Sequence, residues 1–169
     1  MNRIFFIADL HLDHKNIIKY CGRPFKDIND MNDTLVTRWN SIVSKDDTVI
    51  FAGDFCKNKY KFHYWLSKLN GEIIMLKGNH DVVGEQSMYH SITFTYNNII
   101  FLVVHDPKDI PEDYNGWIIH GHQHNNDVEK YPLISHNNKT INVSCELIDY
   151  TPVLIDDIIL MINRIQEII

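Results

Sequence analysis

The chain has 169 residues, 44% hydrophobic and 22% charged, with a formal net charge of −6. That length and composition exclude a disordered or low-complexity chain and allow a real core. The acidic balance counts against a broad nucleic-acid-binding surface, and no run approaches the roughly 20 apolar residues that cross a bilayer.

In chain order, Ile4-Phe5-Phe6-Ile7-Ala8 reads as a strand covered on both faces, because it is apolar without alternation. It runs into Asp9-Leu10-His11-Leu12-Asp13-His14, where alternation puts Asp9, His11 and Asp13 on one side. Residues 15–20 suit a short helix broken by Gly22-Arg23-Pro24-Phe25. Arg23 reads either as a surface arginine or as a fork of donors for a phosphate oxygen. Residues 29–44 carry Met31, Leu35, Trp39, Ile42 and Val43 at helical spacing, with Asn29 or Asp30 as cap. Residues 48–52 form a second apolar strand that stops at Gly53-Asp54. Residues 59–69 read as a helix with Phe62, Trp65, Leu66 and Leu69 inside and His63 outside. A third apolar run, Ile73-Ile74-Met75-Leu76, ends in Gly78-Asn79-His80-Asp81. Three strands alternating with helices predict a parallel α/β unit whose loops share one edge, where such sheets bind ligands.

The second half changes character. Residues 92–96 and 99–104 flank Asn97-Asn98 as a hairpin, and the later strand ends at His105. Trp117-Ile118-Ile119 forms another strand and delivers His120-Gly121-His122-Gln123-His124. Strand-like runs follow at 131–135 and 140–144, and Thr151-Pro152-Val153 opens a C-terminal helix lined by Ile158, Ile159, Ile162, Ile165 and Ile169. With no linker, repeat or low-complexity segment, residues 1–169 read as one domain. Cys21, Cys56 and Cys145 form no CxxC pair, so neither a zinc knuckle nor a disulfide framework is expected. Reduced thiols, together with an N-terminus too short for a signal sequence, predict a cytoplasmic protein of unspecified oligomeric state.

Five apolar strands thus end in ligand-type residues: Asp9 with His11, Asp54, Asn79 with His80, His105, and His122 with His124. Oxygen and imidazole groups without cysteine suit Mn, Fe, Zn, Ni or Co. Seven ligands are too many for one tetrahedral ion and suit two ions sharing a carboxylate. Cations ~3.5–4 Å apart would turn a bridging water into a nucleophile and neutralise charge on phosphorus. His120 alternates away from His122, which suits packing or support of the ligands. His14 is a residue for substrate contact, and His90 and His136 lie in no motif.

The combination, spanning Asp9 to His124, resembles the calcineurin-like metallophosphoesterases, and its short form is similar to small phosphoesterases of prokaryotes and phages. The resemblance implies a four-layer α/β/β/α sandwich of two mixed sheets flanked by helices. It implies two divalent transition-metal ions, manganese foremost. Asp9, His11 and His124 would hold one, Asp54 would bridge, and Asn79, His105 and His122 would complete the other. His80 would protonate the leaving oxygen or donate to the transition state, oriented by Asp81, with Asn79 and Arg23 reaching substrate. Many relatives carry a second acid as GDxxD, whereas Gly53-Asp54-Phe55-Cys56-Lys57 has lysine there. The expected activity is hydrolysis of a phosphodiester or small nucleotide-like phosphate by metal-bridged hydroxide. A nuclease related to Mre11 and a non-catalytic scaffold are the alternatives. The expected partner is a small phosphoester, with nucleic acid disfavoured and no membrane.

Overall fold

The computed structural model describes residues 2–81 and 88–164. Two mixed β-sheets face each other, flanked by helices. In the first, β3 (Glu72–Met75), β2 (Thr48–Phe51) and β1 (Ile4–Ile7) run parallel, and β9 (Val153–Leu154) pairs antiparallel with β1. The second has the order β4 (Ser91–Tyr96), β5 (Ile99–Val104), β6 (Trp117–His120), β8 (Thr140–Asn142), β7 (Ile134–Ser135). Its parallel pairs are β5 with β6 and β6 with β8, and its outer pairs are antiparallel. The β4–β5 hairpin turns on Asn97 and Asn98, both at positive φ (46° and 63°) as a primed turn demands.

The unbroken apolar run of β1 is explained by burial on both faces. Phe5 and Ile7 pack with Val49, Phe51 and the helical residues Met31, Leu35, Trp39, Phe62 and Trp65. Phe6 and Ala8 pack instead with Ile50, Ala52 and Leu76, and across the sandwich with Phe101, Val103, Ile119 and Ile141. Helix α1 (Ile17–Tyr20) is a single turn, while α2 (Ile28–Ile42) supplies the long outer helix. Fully buried Trp39 is the largest side chain α2 contributes. The cap of α2 is Asp27, whose carboxylate accepts from the backbone of Asn29 and Asp30, two or three residues before the expected Asn29 or Asp30.

The expected helix over 59–69 is a 3-10 turn, Lys59–Lys61, followed by α3 (Phe62–Leu66), with His63 exposed as anticipated. The outer face of the second sheet is covered by Ile110 and Tyr114, packed on Leu102, Val104 and Ile118. Residues 151–153 do not open the last helix. Val153 and Leu154 form β9, and α4 (Ile155–Asn163) starts after it, burying Ile155, Ile158 and Ile162. Ile165 and Ile169 lie outside the described residues. No helix among the described residues is long and apolar enough to cross a membrane.

Candidate metal centre

Parallel strands β1, β2 and β3 end on one edge, and the turns leaving them carry the first ligands. Five of the seven candidate ligands, Asp9, His11, Asp54, His122 and His124, have φ between 50° and 69°. Left-handed backbone at a non-glycine residue costs on the order of 1–3 kcal/mol, so the surrounding bonds must hold each one. They are numerous. The Asp9 amide donates to Gly53 O and the His11 amide to Asp54 O, lacing the first turn to the second. A Cβ at Gly78 would strike the Asp54 carboxylate and amide, and one at Gly53 would lie 2.5 Å from His105 Nδ1. Glycine is required at both places because two turns meet with no room between them.

Two groups of ligand atoms converge on this edge. Asp9, His11 and His124 form one, and Asp54, His105 and His122 the other. Asp54 stands between them, with Oδ2 3.4 Å from both His11 Nε2 and His105 Nε2. Its Oδ1 accepts from the His80 amide at 2.8 Å, which aims the other oxygen inward. Asn79 Oδ1 lies 3.0 Å from both His105 Nε2 and His122 Nδ1. His105 Nδ1 faces the Ala52 carbonyl at 2.8 Å, so whenever the ring is neutral its proton sits there and Nε2 keeps the lone pair a metal needs. Asp9 Oδ2 accepts from Ser144 Oγ at 2.7 Å and from the His122 amide at 2.9 Å. Its Oδ1 and His11 Nε2 are buried with no hydrogen-bond partner among the described residues. Buried polar atoms left without partners beside one cluster of ligand atoms are costly unless a cation serves them. The donor set therefore fits divalent ions.

Three expected placements need correction. Asp13 does not face the centre. Its oxygens take Asn32 Nδ2 at 2.9 Å and Trp65 Nε1 at 2.8 Å, because left-handed residues, not strand alternation, shape that turn. Asp81 does not orient His80 either. Its carboxylate accepts from the amides of Gly78, Asp54 and Phe55 at 2.8–2.9 Å, making it the clasp between the second and third turns. Arg23 is neither on the surface nor open to a phosphate. It is buried with all five donors engaged: Nε and Nη2 on Glu146, Nη2 also on Asp9 O, and Nη1 on Leu10 O and Met31 Sδ. It props the Asp9–His11 turn from below. Asn79 and His80 are exposed at the rim, with the His80 ring 5.4 Å from that of His11. His14 sits 5.6 Å from His11, and His120 is fully buried with Nδ1 against Gly121 O. His90 is exposed, and His136 Nε2 lies 3.2 Å from the Met161 and Ile162 carbonyls near the end of α4.

Sequence reading missed two supports. Glu146 Oε1 lies 3.0 Å from His124 Nδ1 and 2.7 Å from Arg23 Nη2, so it fixes the imidazole that completes the first ligand group. Asp106 Oδ2 lies 3.4 Å from His122 Nε2. Asp106 had a signal, since it adjoins His105; Glu146 follows a strand with no pattern to mark it. Cys21 Sγ also lies near His124 and Glu146, but Glu146 is already committed to Arg23. Glu146→Gln leaves the buried guanidinium without its anion. It is expected to lower the melting temperature and to weaken metal binding by about 10–100-fold, as measured by metal titration, whereas unchanged affinity would deny the support.

Charge in the metal-free centre is balanced by protons. Burial drives His11 down to about 2 and His120 down to about 4, so both are neutral. Burial opposes charge on His105 and His124 too, but Asp54 lifts the first to about 9, and Cys21 and Glu146 lift the second to about 11. Stability from His105 and His124 is complete below their ordinary value of 6.5 and is lost as pH rises through about 9 and about 11. Stability from neutral His11 and His120 is complete above 6.5 and is lost as pH falls towards about 4 and about 2. The melting temperature of metal-free protein should therefore peak near neutral pH. A steady climb into alkali in thermal melts would contradict this balance.

Comparison with known proteins gives the chain its family. The sequence pattern of the family described as calcineurin-like phosphoesterase matches residues 2–159. An uncharacterized protein of Methanocaldococcus jannaschii is 44% identical over 168 residues, covering 97% of this chain and 93% of its own length. The gene 66 protein of Mycobacterium phage L5 is 33% identical over 85 residues, 48% of this chain and 41% of that protein. A crystal structure of a protein of unknown function from Aquifex aeolicus superposes with a TM-score of 0.74 at 22% identity, covering 95% of this chain and 100% of the other, which shows the shared fold. With a family match over nearly its whole length and a close relative of equal extent, the chain belongs to the calcineurin-like phosphoesterase family.

Proposed function

We infer that the chain is a metal-dependent phosphoesterase that hydrolyses a phosphodiester or small nucleotide-like phosphate at a centre of two divalent transition-metal ions. The observation that carries this reading is Asp54 Oδ2, 3.4 Å from an imidazole nitrogen of each ligand group. Asp9, His11 and His124 would hold one ion and Asn79, His105 and His122 the other, with Asp54 shared. Manganese is the first candidate, with iron, nickel, cobalt and zinc also suited to oxygen and imidazole donors. Ions so held supply positive charge to phosphoryl oxygens and lower the pKa of water.

The chain's own residues do the rest. Arg23, Glu146 and Asp81 keep the ligand turns in place. Asn79 and His80 line the open rim where a phosphoester must enter. His80 holds a proton for the leaving oxygen, and its exposed position lets it reach a substrate. The buried thiols Cys21, Cys56 and Cys145 support a cytoplasmic setting.

The test strips the protein of metal and resupplies Mn²⁺, Ni²⁺, Co²⁺ or Zn²⁺, then follows bis-p-nitrophenyl phosphate beside p-nitrophenyl phosphate. Metal-dependent cleavage of the diester is expected. Two ions bound per chain without turnover of either ester would mark a metal-binding scaffold instead.

A further inference from the structure

A second cleft adjoins the rim of the metal centre. It has a volume of about 340 Å³ and is lined by Asp13, His14, Lys15, Asn16, Tyr20 and Lys57. Volumes of about 300–1,000 Å³ are typical of small-molecule sites. His14 connects it to the chemistry, because its ring lies 5.6 Å from that of His11 and 6.4 Å from that of His80. The cleft therefore opens on the His80 side, where the leaving group departs under the reading above.

Its chemistry is specific. Lys15 and Lys57 are exposed, and neither ammonium has an ion-pair partner among the described residues. The acid beside them is already engaged, since Asp13 serves Asn32, Trp65 and Lys61. His14 Nδ1 accepts from the Ile17 amide at 3.2 Å, which puts the proton of the neutral ring on Nε2 as a donor. Tyr20 is 68% exposed, with its ring 6.2 Å from that of His14 in a T-shaped arrangement, which leaves most of the ring free for stacking. Two cations without an ion-pair partner among the described residues, an imidazole and an exposed aromatic ring together suit a phosphate followed by a planar base.

We propose that this cleft binds the leaving-group side of a nucleotide substrate, with an inner phosphate between Lys15 and Lys57 and the base against Tyr20. The scissile terminal phosphate then lies at the metal centre. Lys57, which stands where an acid was anticipated from the resemblance, turns the mouth of the site cationic in an otherwise acidic protein.

The proposal rests on the phosphoesterase reading, but its test uses binding alone. Protein supplied with Mn²⁺ is titrated calorimetrically with α,β-methylene-ADP, which has no cleavable bridging oxygen between its phosphorus atoms. AMP, which lacks the second phosphate, and methylenediphosphonate, which lacks the nucleoside, are titrated alongside. The analogue is expected to bind roughly tenfold or more tightly than either, the scale of one base stack or one charge-assisted contact. Lys57→Gln should weaken the analogue and AMP alike by roughly tenfold, and Tyr20→Ala should erase the analogue's margin over methylenediphosphonate. Both residues are exposed, so neither change should disturb folding. A wild-type margin over methylenediphosphonate below about twofold, or affinity for the analogue that neither variant weakens, overturns the proposal. A protein that shows the margin yet hydrolyses no phosphoester supports the cleft and refutes the enzyme.

Discussion

Asp54→Asn is expected to lower phosphodiester hydrolysis by more than about 10²-fold, beyond the 10–100-fold loss typical when an outer partner of a ligand is removed. The side chain keeps its shape, and its carbonyl can still accept the His80 amide, which now bonds Oδ1 at 2.8 Å. What disappears is the charged oxygen 3.4 Å from both His11 Nε2 and His105 Nε2. An amide nitrogen there has protons where the centre needs lone pairs, so bound metal should fall together with the rate. Metal content by elemental analysis, read beside turnover, separates the cases. Full activity with unchanged stoichiometry would remove Asp54 from the bridging position.

His80→Ala should behave differently. The side chain is exposed at the rim, and only the backbone amide of His80 supports Asp54, a bond that alanine retains. Both ions should stay while turnover of an ester with a poor leaving group falls by about 10²–10⁴-fold, the range for a lost general acid. p-Nitrophenolate departs with little need of a proton, so the loss should shrink with that leaving group. Equal losses for both kinds of ester would move His80 to stabilising the phosphoryl group, and loss of metal would make it a support for the ligand turns.

The sheet and the ligand positions were legible because one physical fact wrote both. Strands buried on two faces, such as Ile4–Ile7 and Thr48–Phe51, are continuously apolar. Polar residues at their ends therefore stand out. What escaped depends on contacts far apart in sequence. Arg23 meets Glu146 across more than 120 positions, and only folding shows that this arginine faces inward. Asp81 sits beside His80 in the chain but is turned towards the Asp54 amide, because the tight approach at Gly78 brings those turns together. Strand β9 was hidden behind Thr151-Pro152, which read as a helix start although two residues of pairing with β1 intervene. Asp13 was misplaced for a local reason: alternation holds for extended strands, and Asp9, His11 and Asp13 are all left-handed.

The most direct test is diffraction from crystals of the protein soaked in Mn²⁺, recorded at an energy where manganese scatters anomalously. Two peaks are predicted, one among Asp9, His11 and His124, the other among Asn79, His105 and His122, each in contact with the Asp54 carboxylate. A single peak, or two that do not share Asp54, would contradict a two-ion phosphoesterase centre.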